Sequence, residues 1–229
     1  MPYETITVDL QDKPAHFLDI YSKANPLPGA RAKVPVLDVN DGESVLCESL
    51  VVAEYVAELQ ANISDDDEAS SRLLPHSPED RAVMRLFTEL CSSSFSYLPI
   101  LRARDESKLD AAVEALKSGL KDVDSFLTRM GSCEGPFLFG DQFTLAECNV
   151  APFVQRACAV LPTGLGSGRS INPLELCDTC QLPRLKAWMN AVMERPSVTK
   201  TGVPKDEMIA NMEKMLKRFE AMEKEQAKQ

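Results

Sequence analysis

The chain has no surplus of basic residues. Lysine and arginine number 25 against 35 aspartates and glutamates, for a formal net charge of −10. No basic patch runs through it, which argues against nucleic acid and anionic membrane as partners, since both need clustered cations. Long apolar runs are also missing, and none approaches the roughly 20 residues needed to span a bilayer. Met1 to Leu10 hold two acids and no base, so they read as neither a signal nor a transit peptide. Histidine is scarce: His16 and His76 stand alone, neither with a catalytic partner in view. Seven cysteines are an odd number, scattered along the chain. They read as buried or free thiols of a reducing compartment, which points to the cytoplasm. Against these shortages stand 229 residues, 44% of them hydrophobic, enough for one large or two small domains.

The most informative stretch lies near the N-terminus. Lys33-Val34-Pro35-Val36-Leu37 reads as an apolar strand opened by a proline. It turns at Asn40-Asp41-Gly42, returns through Ser44-Val45-Leu46, and opens a helix at Glu48-Ser49. A proline at the head of a strand beside a cleft is a candidate cis bond. It would turn the Val34 backbone outward, toward an extended peptide ligand. A helix N-terminus carrying Ser49 offers free N–H groups and a partial positive charge, suited to a carboxylate. Together these features read as half of a peptide-binding site.

Around this hairpin the first part reads β-α-β-β-α. Tyr3 to Val8 alternates and predicts a strand. Asp12-Lys13-Pro14 starts a helix, with Asp12 as N-cap and Ala15, Phe17, Leu18 and Tyr21 as its apolar face. The helix opened at Glu48 runs to about Ala61. Residues 1–61 form one domain and 62–77 a linker. The linker's run Ser64-Asp65-Asp66-Asp67-Glu68 reads as solvated, with a metal site the sharper alternative. Residues 78–229 read as all-helical. Ser77-Pro78-Glu79-Asp80 starts a helix. Leu109, Val113, Leu116, Leu120, Val123 and Leu127 mark one long amphipathic helix between Asp105 and Met130, packed in a bundle. Phe137 and Phe139 are buried in the loop 135–141. Thr144 and Glu147 form a capping box that opens a buried core helix, ended by Pro162. The glycine-rich loop from Thr163 to Pro173 follows no strand and opens no helix, which disfavours a phosphate cradle. Pro183 to Arg195 is a further helix with the single tryptophan, Trp188. The last helix, Pro204 to about Glu223, carries Met208, Met212, Met215, Leu216, Phe219 and Met222 on one stripe. Packing onto the domain is preferred for that stripe over a binding surface.

This ordered combination resembles the cytosolic glutathione transferases over nearly the whole chain. Val34-Pro35 looks like the family's cis-proline loop, and Glu48-Ser49 like its acid–serine pair for the γ-glutamyl group. Phe143-Thr144-Leu145-Ala146-Glu147 looks like its helix-capping motif, with Glu147 where the family more often has Asp. The segment Asp9 to Phe17 and the helix Leu182 to Met189 are similar to the omega and lambda classes. The resemblance implies an α+β thioredoxin-like domain followed by an all-α helical bundle. It implies glutathione as co-substrate, held by Lys13, Val34, Pro35, Glu48 and Ser49. Glutathione-dependent thiol transfer or conjugation of a small electrophilic or disulfide substrate follows, in a homodimer, with no nucleic acid or membrane partner. The family's first strand–helix unit, which bears a catalytic cysteine in these classes, is expected to be absent from this chain, so no catalytic residue is assigned. Cys47, the cysteine next to the site, reads as a small core residue. Cys177-Asp178-Thr179-Cys180 reads as incidental loop thiols. A non-catalytic binding or scaffold protein that has shed the active-site unit is the alternative.

Overall fold

The computed structural model describes residues 2–25, 27, 29–63 and 73–226, with the side chains of 61–63 and 226 left aside. The chain forms two compact units, Met1–Asp67 and Glu68–Gln229. The acidic run 64–68 lies outside the described residues.

The first unit contains α1 (Ala15–Ala24), β1 (Val36–Val39), β2 (Ser44–Cys47) and α2 (Ser49–Ile63). The strands pair antiparallel, Val36 opposite Cys47 and Val39 opposite Ser44. Their turn needs three left-handed residues in a row, Asn40 (φ 52°), Asp41 (φ 56°) and Gly42 (φ 90°). Asparagine, aspartate and glycine are the residue types that tolerate this region. The Asp38 carboxylate closes the turn by accepting the Gly42 N–H at 2.6 Å. Helix α1 lies on the hairpin. Phe17, Tyr21 and Ala32 are buried there, with Val8, Val36 and Cys47 packed against them.

Two expectations fail here. Tyr3 to Val8 is not a strand. No neighbouring strand among the described residues pairs with it, so its backbone has no ladder to join. Tyr3 is 87% exposed, and of its alternating face only Val8 reaches the core. Asp12 does not cap α1 either. Pro14 occupies the cap in an extended conformation and its carbonyl accepts the Phe17 and Leu18 N–H groups. A proline disfavours helical backbone in the residue before it, which holds Lys13 and Asp12 outside the helix. The apolar face is also narrower than expected, because Leu18 is exposed.

The second unit is helical: α3 (Pro78–Ser94), α4 (Leu98–Arg102), α5 (Glu106–Met130), α6 (Leu145–Val160), α7 (Pro173–Thr179), α8 (Pro183–Glu194), α9 (Pro196–Thr201) and α10 (Lys205–Gln226). Ser77 caps α3 through the Asp80 N–H at 2.9 Å, and Asp105 caps α5 through the Lys108 N–H at 2.8 Å. All six apolar positions read along α5 are buried. Gly119 lets α5 approach α3 closely, since a Cβ there would lie 2.8 Å from the Ser94 Cα. Pro162 sits in a 3-10 turn, Leu161–Thr163, that follows α6. In the preceding loop Phe137 is buried but Phe139 only half-buried.

The capping box forms and does more than cap. The Glu147 carboxylate is fully buried and accepts four hydrogen bonds. They come from the Leu138 N–H (2.9 Å), the Thr144 N–H (2.9 Å), the Thr144 hydroxyl (2.8 Å) and the Trp188 indole (3.1 Å). One side chain thus ties the 137–143 loop, the start of α6 and the middle of α8. Arg184 lies near it and donates to the carbonyls of Pro136 (2.8 Å) and Phe137 (2.7 Å). Trp188 completes the junction, edge-on to Phe87 at 5.3 Å.

The Cys177–Cys180 stretch is not a loop. Asn172 caps α7 through the Leu174 N–H, Pro173 starts it, and Cys177 is buried within it. No helix among the described residues is long and apolar enough to cross a membrane.

Candidate functional site

The hairpin register brings two separated stretches to one end. Val36 pairs with Cys47, so Val34-Pro35 enters β1 where Glu48-Ser49 leaves β2. The Val34–Pro35 peptide bond is cis. Val34 is exposed beside it. Ser49 is the first residue of α2, and the Glu48 carbonyl accepts the Val52 N–H at 3.0 Å. Glu48 therefore holds the N-cap position. The first-turn N–H groups of Ser49, Leu50 and Val51 have no acceptor within the helix. They carry the positive end of its dipole toward the exposed Ser49.

Glu48 adopts φ 70°. A non-glycine residue in this left-handed region costs of order 1 kcal/mol or more and persists where its surroundings fix it, often at ligand sites. It lets the chain turn from β2 into α2 within one residue. Nothing in the residue type Glu announces this, and sequence reasoning missed it.

Lys13 stands apart from this end. The Cys47 thiol donates to the Ala24 carbonyl at 3.8 Å, which fixes the C-terminal end of α1 at the exit of β2. Lys13 precedes the other end of that ten-residue helix, about 15 Å away along its axis at 1.5 Å per residue. An extended tripeptide spans roughly 10 Å, and a lysine side chain adds several more. The separation is on the scale of an extended tripeptide with a lysine side chain beyond it. Cys47 is half-buried against the Phe17–Tyr21 cluster, as expected of a small core residue.

The second unit holds a cavity of about 750 Å³ between α6, α9 and α10. Cys148, Pro152 and Arg156 form one of its walls, at a spacing of four along α6. Met208, Met212 and Met215 form another along α10. The methionine stripe therefore serves twice: Leu216 is buried in the domain, while Met208, Met212 and Met215 line the cavity, Met212 buried and the other two half-buried. Phe143 lies in the wall with the Arg195 guanidinium 3.9 Å above its ring. Sequence reasoning took α6 as uniformly core. The signal against that was available: Cys148, Pro152 and Arg156 interrupt a nearly apolar helix on a single stripe.

Four cysteines of the second unit, Cys91, Cys148, Cys158 and Cys177, are held as thiols. Burial, helped by the Glu147 charge and opposed by Arg195, pushes Cys148 up to about 11. Burial pushes Cys158 and Cys177 up to about 12 and Cys91 well above its ordinary value. No group of three or more His, Cys, Asp or Glu among the described residues could hold a metal ion.

Residues 1–59 match the family described as glutathione S-transferase, N-terminal domain, and residues 99–191 match glutathione S-transferase, C-terminal domain. The chain belongs to the glutathione S-transferase superfamily. Glutathione S-transferase U2 of Arabidopsis thaliana is 25% identical over 221 residues, covering 95% of this chain and 84% of its own. Glutathione transferase Omega 1C from Trametes versicolor has 27% identity and a TM-score of 0.63, covering 89% of this chain and 81% of its own. Rice GST1, solved in complex with glutathione, shares the fold at 20% identity and a TM-score of 0.63, over 95% of this chain and 88% of its own. The transferase architecture explains the order of the elements: a thioredoxin-like unit carrying the hairpin end, then a helical unit carrying the apolar cavity.

Proposed function

We propose that this transferase is of the omega or lambda kind, binds glutathione as co-substrate, and performs thiol transfer or conjugation. The observation that carries the reading is the shared end of the hairpin, where Val34 and the opening of α2 lie side by side. Ser49 and the first-turn N–H groups of α2 receive one carboxylate of the tripeptide. Glu48 accepts from its ammonium. The Val34 backbone, set beside Pro35, pairs with the central cysteinyl unit. Lys13, at the far end of α1, meets the other carboxylate.

The acceptor is a small electrophilic or disulfide compound, and the cavity of the second unit receives its apolar body. In thiol transfer, a thiolate attacks a glutathione–substrate mixed disulfide. With a second glutathione as the attacking thiolate, a new S–S bond forms to the glutathione sulfur of the mixed disulfide, the old S–S bond breaks, and the substrate departs as a thiolate that takes up a proton, leaving glutathione disulfide. The buried thiols of the second unit are poor nucleophiles at neutral pH. The protein works in the cytoplasm as a homodimer; seven unpaired cysteines suit a reducing compartment.

Calorimetric titration with glutathione, paired with turnover of a small mixed disulfide and of an aryl halide, tests the reading. Binding with turnover of either substrate is expected. Binding without turnover would leave a glutathione-binding protein that is not a transferase in action. Absence of binding would overturn the site.

A further inference from the structure

The cavity between α6, α9 and α10 has an unusual charge balance for this protein. The chain carries a net charge of −10, yet no acidic residue lines the cavity, and Arg156 is its single charged lining residue. Arg156 Nε is buried and has no hydrogen-bond partner among the described residues. Its guanidinium lies 5.1 Å from the centroid of the Phe153 ring, which limits its freedom. A cationic side chain left with an unpaired N–H and no neighbouring carboxylate keeps an uncompensated desolvation cost, which an anionic ligand on its terminal amino groups would offset. The surrounding wall offers methionines, Phe143, Val198 and Val203 rather than a carboxylate.

We propose that the acceptor substrate of this cavity is an apolar anion, a carboxylate or sulfonate on an aryl or alkyl body, with Arg156 receiving the charged head. This rests on the reading of the cavity as the acceptor site. The two terminal amino groups of a guanidinium form a planar fork that takes two oxygens of one carboxylate, and Arg156 lines the cavity. The methionine wall fits the apolar body, because unbranched thioether side chains adapt to different shapes. Arg156 thereby acts as a specificity residue for the acceptor.

The test uses the whole chain and two probes of nearly equal shape, naphthalene-2-carboxylate and its methyl ester, titrated in parallel by calorimetry. The acid is expected to bind at least about tenfold more tightly than the ester, the scale of one charge-assisted contact. Arg156→Gln should abolish that preference and leave ester affinity within about twofold, since only the charged partner is lost. Arg156→Lys, which keeps the charge without the fork, should retain part of it and serves if the glutamine variant fails to fold. Equal affinity for acid and ester in the unaltered protein would overturn the anion preference while leaving the cavity as acceptor site. Binding of neither probe would overturn the acceptor reading itself. Displacement of the acid, but not the ester, by glutathione would give Arg156 to a tripeptide carboxylate and overturn the proposal.

Discussion

The two units solve the problem of holding a site in different ways. The helical unit is organised around long buried stripes and a carboxylate that accepts four hydrogen bonds. The thioredoxin-like unit has two four-residue strands and a small cluster centred on Phe17 and Tyr21. The elements we propose for recognition there are backbone features: a cis bond, a left-handed Glu48 and the open end of α2. The helical unit places side chains around a cavity, whereas the smaller unit presents N–H and carbonyl groups at a hairpin end. Rigidity in the first case comes from core volume. In the second it comes from register and turn chemistry.

Several substitutions sharpen or break that contrast. The largest effect is expected at Glu147. Glu147→Ala leaves the Leu138 and Thr144 N–H groups and the Trp188 indole buried without their acceptor. A loss of about 4 kcal/mol or more in denaturant stability should follow; a loss under about 1 kcal/mol would show that the junction does not depend on this carboxylate. Leu120→Ala, at a fully buried position of α5, should cost about 3 kcal/mol through cavity formation. Phe17→Ala is its counterpart in the smaller unit. Hydrogen exchange should accelerate across Val36–Val39 and Ser44–Cys47 while α5 amides keep their protection. Equal acceleration in both would erase the distinction between the units.

Ser49→Ala should weaken glutathione binding about tenfold, the scale of a hydrogen bond to a charged group, with no change in melting behaviour. An unchanged dissociation constant would remove Ser49 from the site. The smallest effect concerns the surface. The hydrogen bond from Arg102 holds the Glu223 carboxyl below its usual range, with the Arg102 and Arg104 charges adding. Its contribution is complete above the ordinary glutamate range and lost as pH falls through the lowered value. A slight loss of α10 protection is expected only as pH falls below the ordinary glutamate range, vanishing when high salt already screens the pair.

Legibility in the sequence followed the same division. The long helix α5 was plain because six apolar residues recur at helical spacing and all of them are buried. The capping box was plain because Thr144 and Glu147 act locally. The hairpin and its turn could be read because Asn40-Asp41-Gly42 carries its own backbone preference. Tyr3 to Val8 misled for the opposite reason: alternation describes one strand, while a ladder needs two. Glu48 gave no sign of its left-handed backbone, since that conformation is imposed by the turn from β2 into α2. The cavity was invisible because its walls come from helices distant in sequence, although the Cys148–Pro152–Arg156 stripe held a clue. Short helices such as α7 and α9 were passed over because a helix of one or two turns shows almost no period.

The most direct test of the central claim is residue-resolved. In a glutathione titration of the isotopically labelled chain followed by amide NMR, the expected shifts concentrate at Val34, Glu48, Ser49, Leu50 and Val51, with Lys13 also moving. The amides of α5 should stay still. Shifts confined to the helical unit, or none at saturating glutathione, would contradict the assignment of the hairpin end as the glutathione site.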